Sequence, residues 1–216
     1  MNVNLKRTAL TVALLGAIGG AQATDLFINT PTVGIDIVAS SFGGTLLDSA
    51  TSAINNISFN GTARSAVYDT GTGLDFYYQF TSNPSSVNGV ERFTGSSFAS
   101  LGAGAISVYQ TSAAFGIFTA GTETADYADR TSLGVLGISF VPNGASKINP
   151  GTTSFTEIFR TNARNYTAGN FALIDGYADN AKGFAPTAAV PEPETYAMLL
   201  AGLGIIGTII RRRKSL

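Results

Sequence analysis

The chain contains no cysteine, no histidine and no tryptophan. Without cysteine, no disulfide framework staples the fold and no thiolate can act as nucleophile or metal ligand. Without histidine, the Ser-His and Cys-His pairs of hydrolases and the imidazole zinc sites are excluded too. Charge is also scarce: Asp, Glu, Lys and Arg make up 12% of the 216 residues. Six of the thirteen basic residues cluster at the two ends, at 6–7 and 211–214, and two of the acids are Glu192 and Glu194. Between them lies a body with twelve acidic and seven scattered basic residues. It has no basic stripe to release counterions, so nucleic acid is not an expected partner. The glycine pairs Gly71/Gly73 and Gly102/Gly104 lack the helix and lysine of a phosphate-binding loop.

What is present divides into three parts. Residues 1–23 have the layout of a secretory signal peptide: Lys6 and Arg7, an apolar stretch over 8–18, and Ala21-Gln22-Ala23 as a small-x-small cleavage site. Cleavage is expected after Ala23. Residues 24–184 then form one extracytoplasmic domain of β-rich character. Its clearest segment is 74–81, where Leu74, Phe76, Tyr78 and Phe80 alternate with Asp75, Tyr77, Gln79 and Thr81. That period of two predicts a strand with the first set in the core and Tyr77 on a polar face. Further strands are expected over 33–39, 54–59, 66–69, 90–94, 106–111, 115–119, 133–141, 155–161 and 171–174, and a short helix over 46–54. Clusters such as Asn60-Gly61 and Asn149-Pro150-Gly151 supply turns between them, since Gly and Asn accept positive φ and Pro presets a bend. Many short strands at this spacing predict an all-β domain, an antiparallel β-sandwich or jelly-roll-like fold.

Chemistry in the body has few carriers. Paired carboxylates could serve glycoside hydrolysis. The nearest pairs by sequence are Asp126 with Asp129 and Asp175 with Asp179. Twelve acids in a body of this length generate such spacings by chance, and solvated surface carboxylates are the expectation. Calcium is the metal suited to an all-oxygen donor set. The segment Asp175-Gly176-Tyr177-Ala178-Asp179-Asn180 and the cluster Glu123, Asp126, Asp129 are its candidates, but neither has the alternating acids and terminal Glu of an EF-hand loop. A turn after the 171–174 strand accounts for the first. Tyr77, Tyr109 and Tyr127 could stack on sugars if exposed; core packing is the competing reading. No cofactor, no metal site and no catalytic residue is assigned, and the body is expected not to be an enzyme.

The end of the chain is different in kind. Residues 185–189 read as a Pro/Ala linker, and residues 190–216 are tripartite. Val190-Pro191-Glu192-Pro193-Glu194 comes first, then an uncharged, mostly apolar run over 196–210, then Arg211, Arg212, Arg213 and Lys214. As a helix the run spans ~22 Å, short of the ~30 Å hydrocarbon core, and Tyr196 and snorkelling arginines partly close the gap. The basic cluster belongs on the cytoplasmic side, which leaves the body outside. This order resembles the PEP-CTERM sorting domain, the substrate of exosortase membrane proteases in Gram-negative bacteria. The resemblance implies a sorting signal at Pro191, Glu192 and Pro193 with the cations 211–214, cleavage near the prolines, and exosortase as partner. It also implies an inner-membrane-tethered intermediate that ends at the cell surface or extracellular matrix. The body segments 74–80 and 91–94 resemble a group of exported PEP-CTERM proteins with no established activity. Together these predict a structural or interaction protein of a biofilm or exopolysaccharide matrix. The alternative is a carbohydrate- or calcium-binding module at the envelope.

Overall fold

The computed structural model describes residues 24–102, 106–141, 147–187 and 200–203. The expected signal peptide over 1–23, and most of the tail, lie outside these residues. The chain forms β1 (Thr24–Leu26), β2 (Thr30–Gly34), β3 (Asp36–Ile37), β4 (Thr45–Asn55), β5 (Asn60–Asp69), β6 (Leu74–Ser82) and β7 (Arg92–Ser97). After a single 3₁₀ turn at Ala99–Leu101 come β8 (Ile106–Thr111), β9 (Tyr127–Arg130), β10 (Val135–Ser139), β11 (Thr156–Arg160), β12 (Asn165–Asp175) and β13 (Tyr177–Thr187). The domain is all-β, as its alternation and turn clusters predict.

Two sheets are formed. A seven-stranded sheet runs β1-β8-β11-β6-β5-β4, with the short β3 also pairing to β8, and a six-stranded sheet runs β13-β12-β7-β10-β9-β2. Every pairing is antiparallel except β3 with β8. One apolar core joins the sheets: Phe76, Tyr78 and Phe80 from β6 meet Phe93, Leu136, Ile138, Phe171 and Leu173 from the other layer. Tyr78 packs on Phe171 with ring centroids 5.0 Å apart, and Phe93 on Phe140 at 4.9 Å. Such aromatic pairs contribute area and preferred edge-on geometry together.

The centre of the outer face of the seven-stranded sheet is not solvated. Ala66, Tyr77, Tyr109, Phe118 and Ile158 form a second apolar cluster there, flanked by Val38, Tyr68, Phe115 and Ile117. The chain around 112–121 folds over this face in place of water. The expected strand 115–119 is this cover: Phe115 and Phe118 exchange backbone hydrogen bonds across a tight turn, with Gly116 at φ +53°.

Other elements differ from the sequence reading as well. The expected helix over 46–54 is strand β4, because pairing with β5 from Thr45↔Asp69 to Asn55↔Asn60 overrides a Leu/Ala spacing that suits a helix. Residues 56–59 of the expected 54–59 strand are a turn, in which Asn56 Oδ1 accepts from Ser58 N and Phe59 N. Strand β13 was not anticipated. It turns back sharply from β12 at Gly176, φ +66°, and runs through Thr187, into the expected 185–189 linker.

Candidate functional site

The expected sorting residues Pro191, Glu192, Pro193, Arg211, Arg212, Arg213 and Lys214 lie outside the described residues. Within the tail, residues 200–203 are helical, with Leu200 and Leu203 exposed. Among the described residues no helix is long and apolar enough to cross a membrane.

In the body, the carboxylates singled out by sequence do not converge. Asp129 pairs with Arg92 at 2.7 Å. Asp126 is half-buried, its Oδ2 has no hydrogen-bond partner, and burial pushes its carboxyl up. Asp175 closes β12, where Ser58 Oγ donates to it at 2.9 Å and Lys147 Nζ at 3.1 Å. Lys147 also reaches Glu91 at 2.6 Å, and these two carboxylates hold its ammonium above the usual value. Asp179 is half-buried on β13, opposite Leu173, where its Oδ1 accepts from Asn180 N. Among the described residues no group of three or more Asp or Glu is arranged to hold a metal ion. The segment 175–180 is a hairpin turn and the start of a strand.

The tyrosines proposed for sugar stacking are mostly enclosed. Tyr77 is fully buried, edge-on to Tyr68 at 5.0 Å and Phe115 at 5.5 Å. Tyr109 is buried against Phe42 at 4.6 Å, and Tyr127 is half-buried. Broadly exposed rings among the described residues are Tyr177, at 58%, and Phe27, at 53%. No row of rings is presented for a glycan by these residues.

Sequence reasoning missed several buried polar groups. Gln79, on the outer face of β6, ties down the covering chain: its Nε2 donates to Thr119 O at 2.7 Å and its Oε1 accepts from Thr119 N at 3.0 Å. On the core side, Gln110 does the same with Ala125, its Oε1 accepting from Ala125 N and its Nε2 donating to Ala125 O, each at 2.9 Å. Each side-chain amide imitates the two-way pairing of a neighbouring strand. Asp75 is fully buried on the outer face and is gripped by Arg160, from Nε at 3.1 Å and Nη2 at 2.9 Å. The Arg160 guanidinium in turn sits 3.8 Å over the Phe42 ring. Burial pushes the Asp75 carboxyl up against the pull of Arg160.

Glu157 is the outlier. It is fully buried opposite Tyr78 and Gln110, and neither carboxyl oxygen has a hydrogen-bond partner. Burial pushes its carboxyl well above the ordinary 4.5, in the direction that favours the neutral acid. With no path to solvent, it can protonate nothing that arrives from outside. One sequence signal pointed to it: position 157 shares the parity of the core residue Phe159 in its strand.

Open grooves lined by described residues lie on the surface. One of about 700 Å³ lies between β4 and the β12–β13 hairpin, and one of about 440 Å³ lies between 29–31 and 129–132. Neither gathers two carboxylates at one point.

The deciding similarity is in the tail. Residues 189–214 match the family model described as the PEP-CTERM protein-sorting motif. The chain carries a PEP-CTERM sorting tail. The matched stretch includes the Pro-Glu-Pro, the apolar run and all four terminal cations, and leaves the body outside it. A PEP-CTERM motif implies an exported protein with a membrane-associated sorting intermediate, processed by an exosortase. No curated protein and no solved structure matches the chain.

Proposed function

We propose that this PEP-CTERM protein is a non-catalytic structural or interaction component of the cell surface or extracellular matrix. Exosortase releases it from the inner membrane by cleavage near Pro191–Pro193. The match over 189–214 carries the sorting half of this reading. The body supports the non-catalytic half: its most perturbed carboxyl, Glu157, is sealed in the core, and Asp75 is spent on Arg160. Tuned acids at working sites face a cleft instead. A glycan matrix is the partner whose neutral hydroxyls suit a surface rich in Ser, Thr and Asn and poor in charge. The calcium-binding alternative loses ground because Asp129 and Asp175 already hold cationic side chains.

Intact-mass measurement of the released protein tests the sorting half. In an exosortase-positive host the tail beyond Pro-Glu-Pro is absent. With Pro191, Glu192 and Pro193 changed to Ala it persists and the body stays in the membrane fraction. A released species still ending at Leu216 refutes the reading.

A further inference from the structure

Two open sheets have four edges, and an edge strand offers unpaired N–H and C=O groups to any passing chain unless it is blunted. Three of the four are blunted here. The β8 side of the seven-stranded sheet ends in the fragments β1 and β3, three and two residues long. In the six-stranded sheet, β2 is short, contains Pro31 and breaks register between Thr30 and Val33. At its other edge, β13 is long, but its free backbone is met by hydroxyls. Lys182 N donates to Ser52 Oγ at 3.0 Å, and Lys182 O accepts from Ser65 Oγ at 2.8 Å. Phe184 O accepts from Tyr78 OH, and Pro186 O from Ser100 Oγ at 2.8 Å.

Among the described residues the fourth edge is bare. Strand β4 is eleven residues long and pairs on one side alone, with β5. Its first part is blunted by a bulge between Leu46 and Asp48, and Asp48 Oδ1 accepts from Ser49 N at 2.7 Å. That bond shows Ser49 N–H turned away from β5. By the alternation of an antiparallel ladder, Thr51, Ala53 and Asn55 turn the same way. Among the described residues, no other element hydrogen-bonds to this outward backbone. Residues 49–55 contain no charge and no proline, and the groove of about 700 Å³ leaves room beside Ser49, Ala50 and Thr51.

We propose that this edge pairs antiparallel with the β4 edge of a second copy, in the register that sets Ser52 opposite Ser52. A two-fold contact requires a strand that complements itself, and Ser49-Ala50-Thr51-Ser52-Ala53-Ile54-Asn55 does so about Ser52. On the core side Ala50 meets Ile54 and Ser52 meets Ser52. On the outer side Ser49 meets Asn55 and Thr51 meets Ala53. The outward groups at 49, 51, 53 and 55 face their counterparts at 55, 53, 51 and 49, so each finds a partner. The stretch brings no charge of its own into contact, which matters between two copies of an acidic body. A contact of this size falls in the transient class, and the crowding of copies on one surface multiplies it. The inference stands on the edge geometry and is independent of the sorting reading.

The chain has no native cysteine, so one introduced thiol reports one contact. Ser52→Cys places two thiols across a narrow pair, within disulfide reach. In the full chain, under mild oxidation, it forms a disulfide-linked homodimer at least tenfold more than Asp179→Cys on the hydroxyl-covered hairpin. Adding Thr51→Pro removes an outward N–H without touching the β5 ladder and lowers that yield at least fivefold. If Ser52→Cys disturbs the bond to Lys182 and fails to fold, a mixture of Thr51→Cys and Ala53→Cys copies replaces it, and the mixed pair cross-links more than either alone. Equal yields from Ser52→Cys and Asp179→Cys, no effect of Thr51→Pro, no cross-link at all, or a cross-link to a different protein each overturn the proposal.

Discussion

Each face of the seven-stranded sheet hides one carboxyl group, and the chain handles the two in opposite ways. On the outer face, Asp75 has Arg160 forked against it and Tyr77 OH at 3.5 Å. On the core face, one strand away, Glu157 has no partner. The outer face is closed by loops, whose backbone brings polar groups inward and whose rim admits the half-exposed guanidinium of Arg160. The inner face is closed by another sheet whose backbone is already paired within itself, so it has little to offer an acid. A buried acid can be met by a cation or left to burial alone, and this sheet does both.

Breaking the outer arrangement should have the largest effect. Arg160→Ala leaves Asp75 without its cation and is expected to cost the body about 2–3 kcal/mol, below the value for a fully enclosed pair because Arg160 is partly exposed. Urea unfolding measures it, and Asp75→Asn added to the same variant should recover part of the loss. A loss under about 0.5 kcal/mol would mean that the fork contributes no more than an ordinary surface ion pair.

Gln79→Ala strikes the same face through its neutral clamp. It leaves Thr119 N–H and C=O without their partner and is expected to cost about 2 kcal/mol. Hydrogen exchange at the Thr119 amide should accelerate while the β6 amides stay protected. Uniform acceleration across β6 would show that the clamp and the sheet open together.

The inner face should respond with the opposite sign. The unfolded chain releases the Glu157 proton near the ordinary 4.5, whereas the folded chain keeps it to a higher pH. Stability is therefore fullest below the unfolded value and falls as pH rises from there through the folded value, by about 1.4 kcal/mol per unit while the two states differ by a whole proton. Glu157→Gln should flatten that slope. Glu157→Met, which also removes the unpaired polar atoms, should raise stability at pH 7 by about 1–2 kcal/mol. A loss of stability in Glu157→Met at pH 7 would show that the acid has a role its surroundings do not reveal.

The smallest expected effect concerns the acids on neither face. Calcium at millimolar concentration should leave the melting temperature of the body unchanged within about 1 °C, since a site filled to 100 times its Kd would add about 2.7 kcal/mol. A rise of several degrees would restore 175–180 or the 123–129 acids as a site.

The same comparison explains what was legible in the sequence. The alternation at 74–81 located β6 and its core set correctly, because pleating is local. It could not tell whether the second face meets water or more protein, so Tyr77 was placed on a polar side that loop 112–121 in fact covers. Strand β13 was hidden for a related reason: much of what fixes it lies far away in the chain, in Ser52, Ser65 and Tyr78. Edge strand β4, open along one side, lacks the apolar alternation of a central strand, and its Leu and Ala spacing mimicked a helix. The sorting tail was readable from sequence because its motif is contiguous and is matched as such.

Strand β13 ends at Thr187, and Pro191 is the fourth residue beyond it. Residues 188–195, which separate the strand from the apolar run starting at Tyr196, reach at most about 26–29 Å when fully extended. A body of this length has a radius of gyration of about 15 Å, so its leash is shorter than its own width. Under the tether proposed above, a protease acting at Pro-Glu-Pro works in the narrow gap beneath a folded domain, which favours an enzyme seated in the same bilayer over one arriving from solution. Mechanical load follows the same path. Tension applied at Thr187 enters the body at the open end of the β12–β13 hairpin, whose register from Asn165↔Thr187 to Asp175↔Tyr177 is the first pairing to bear it.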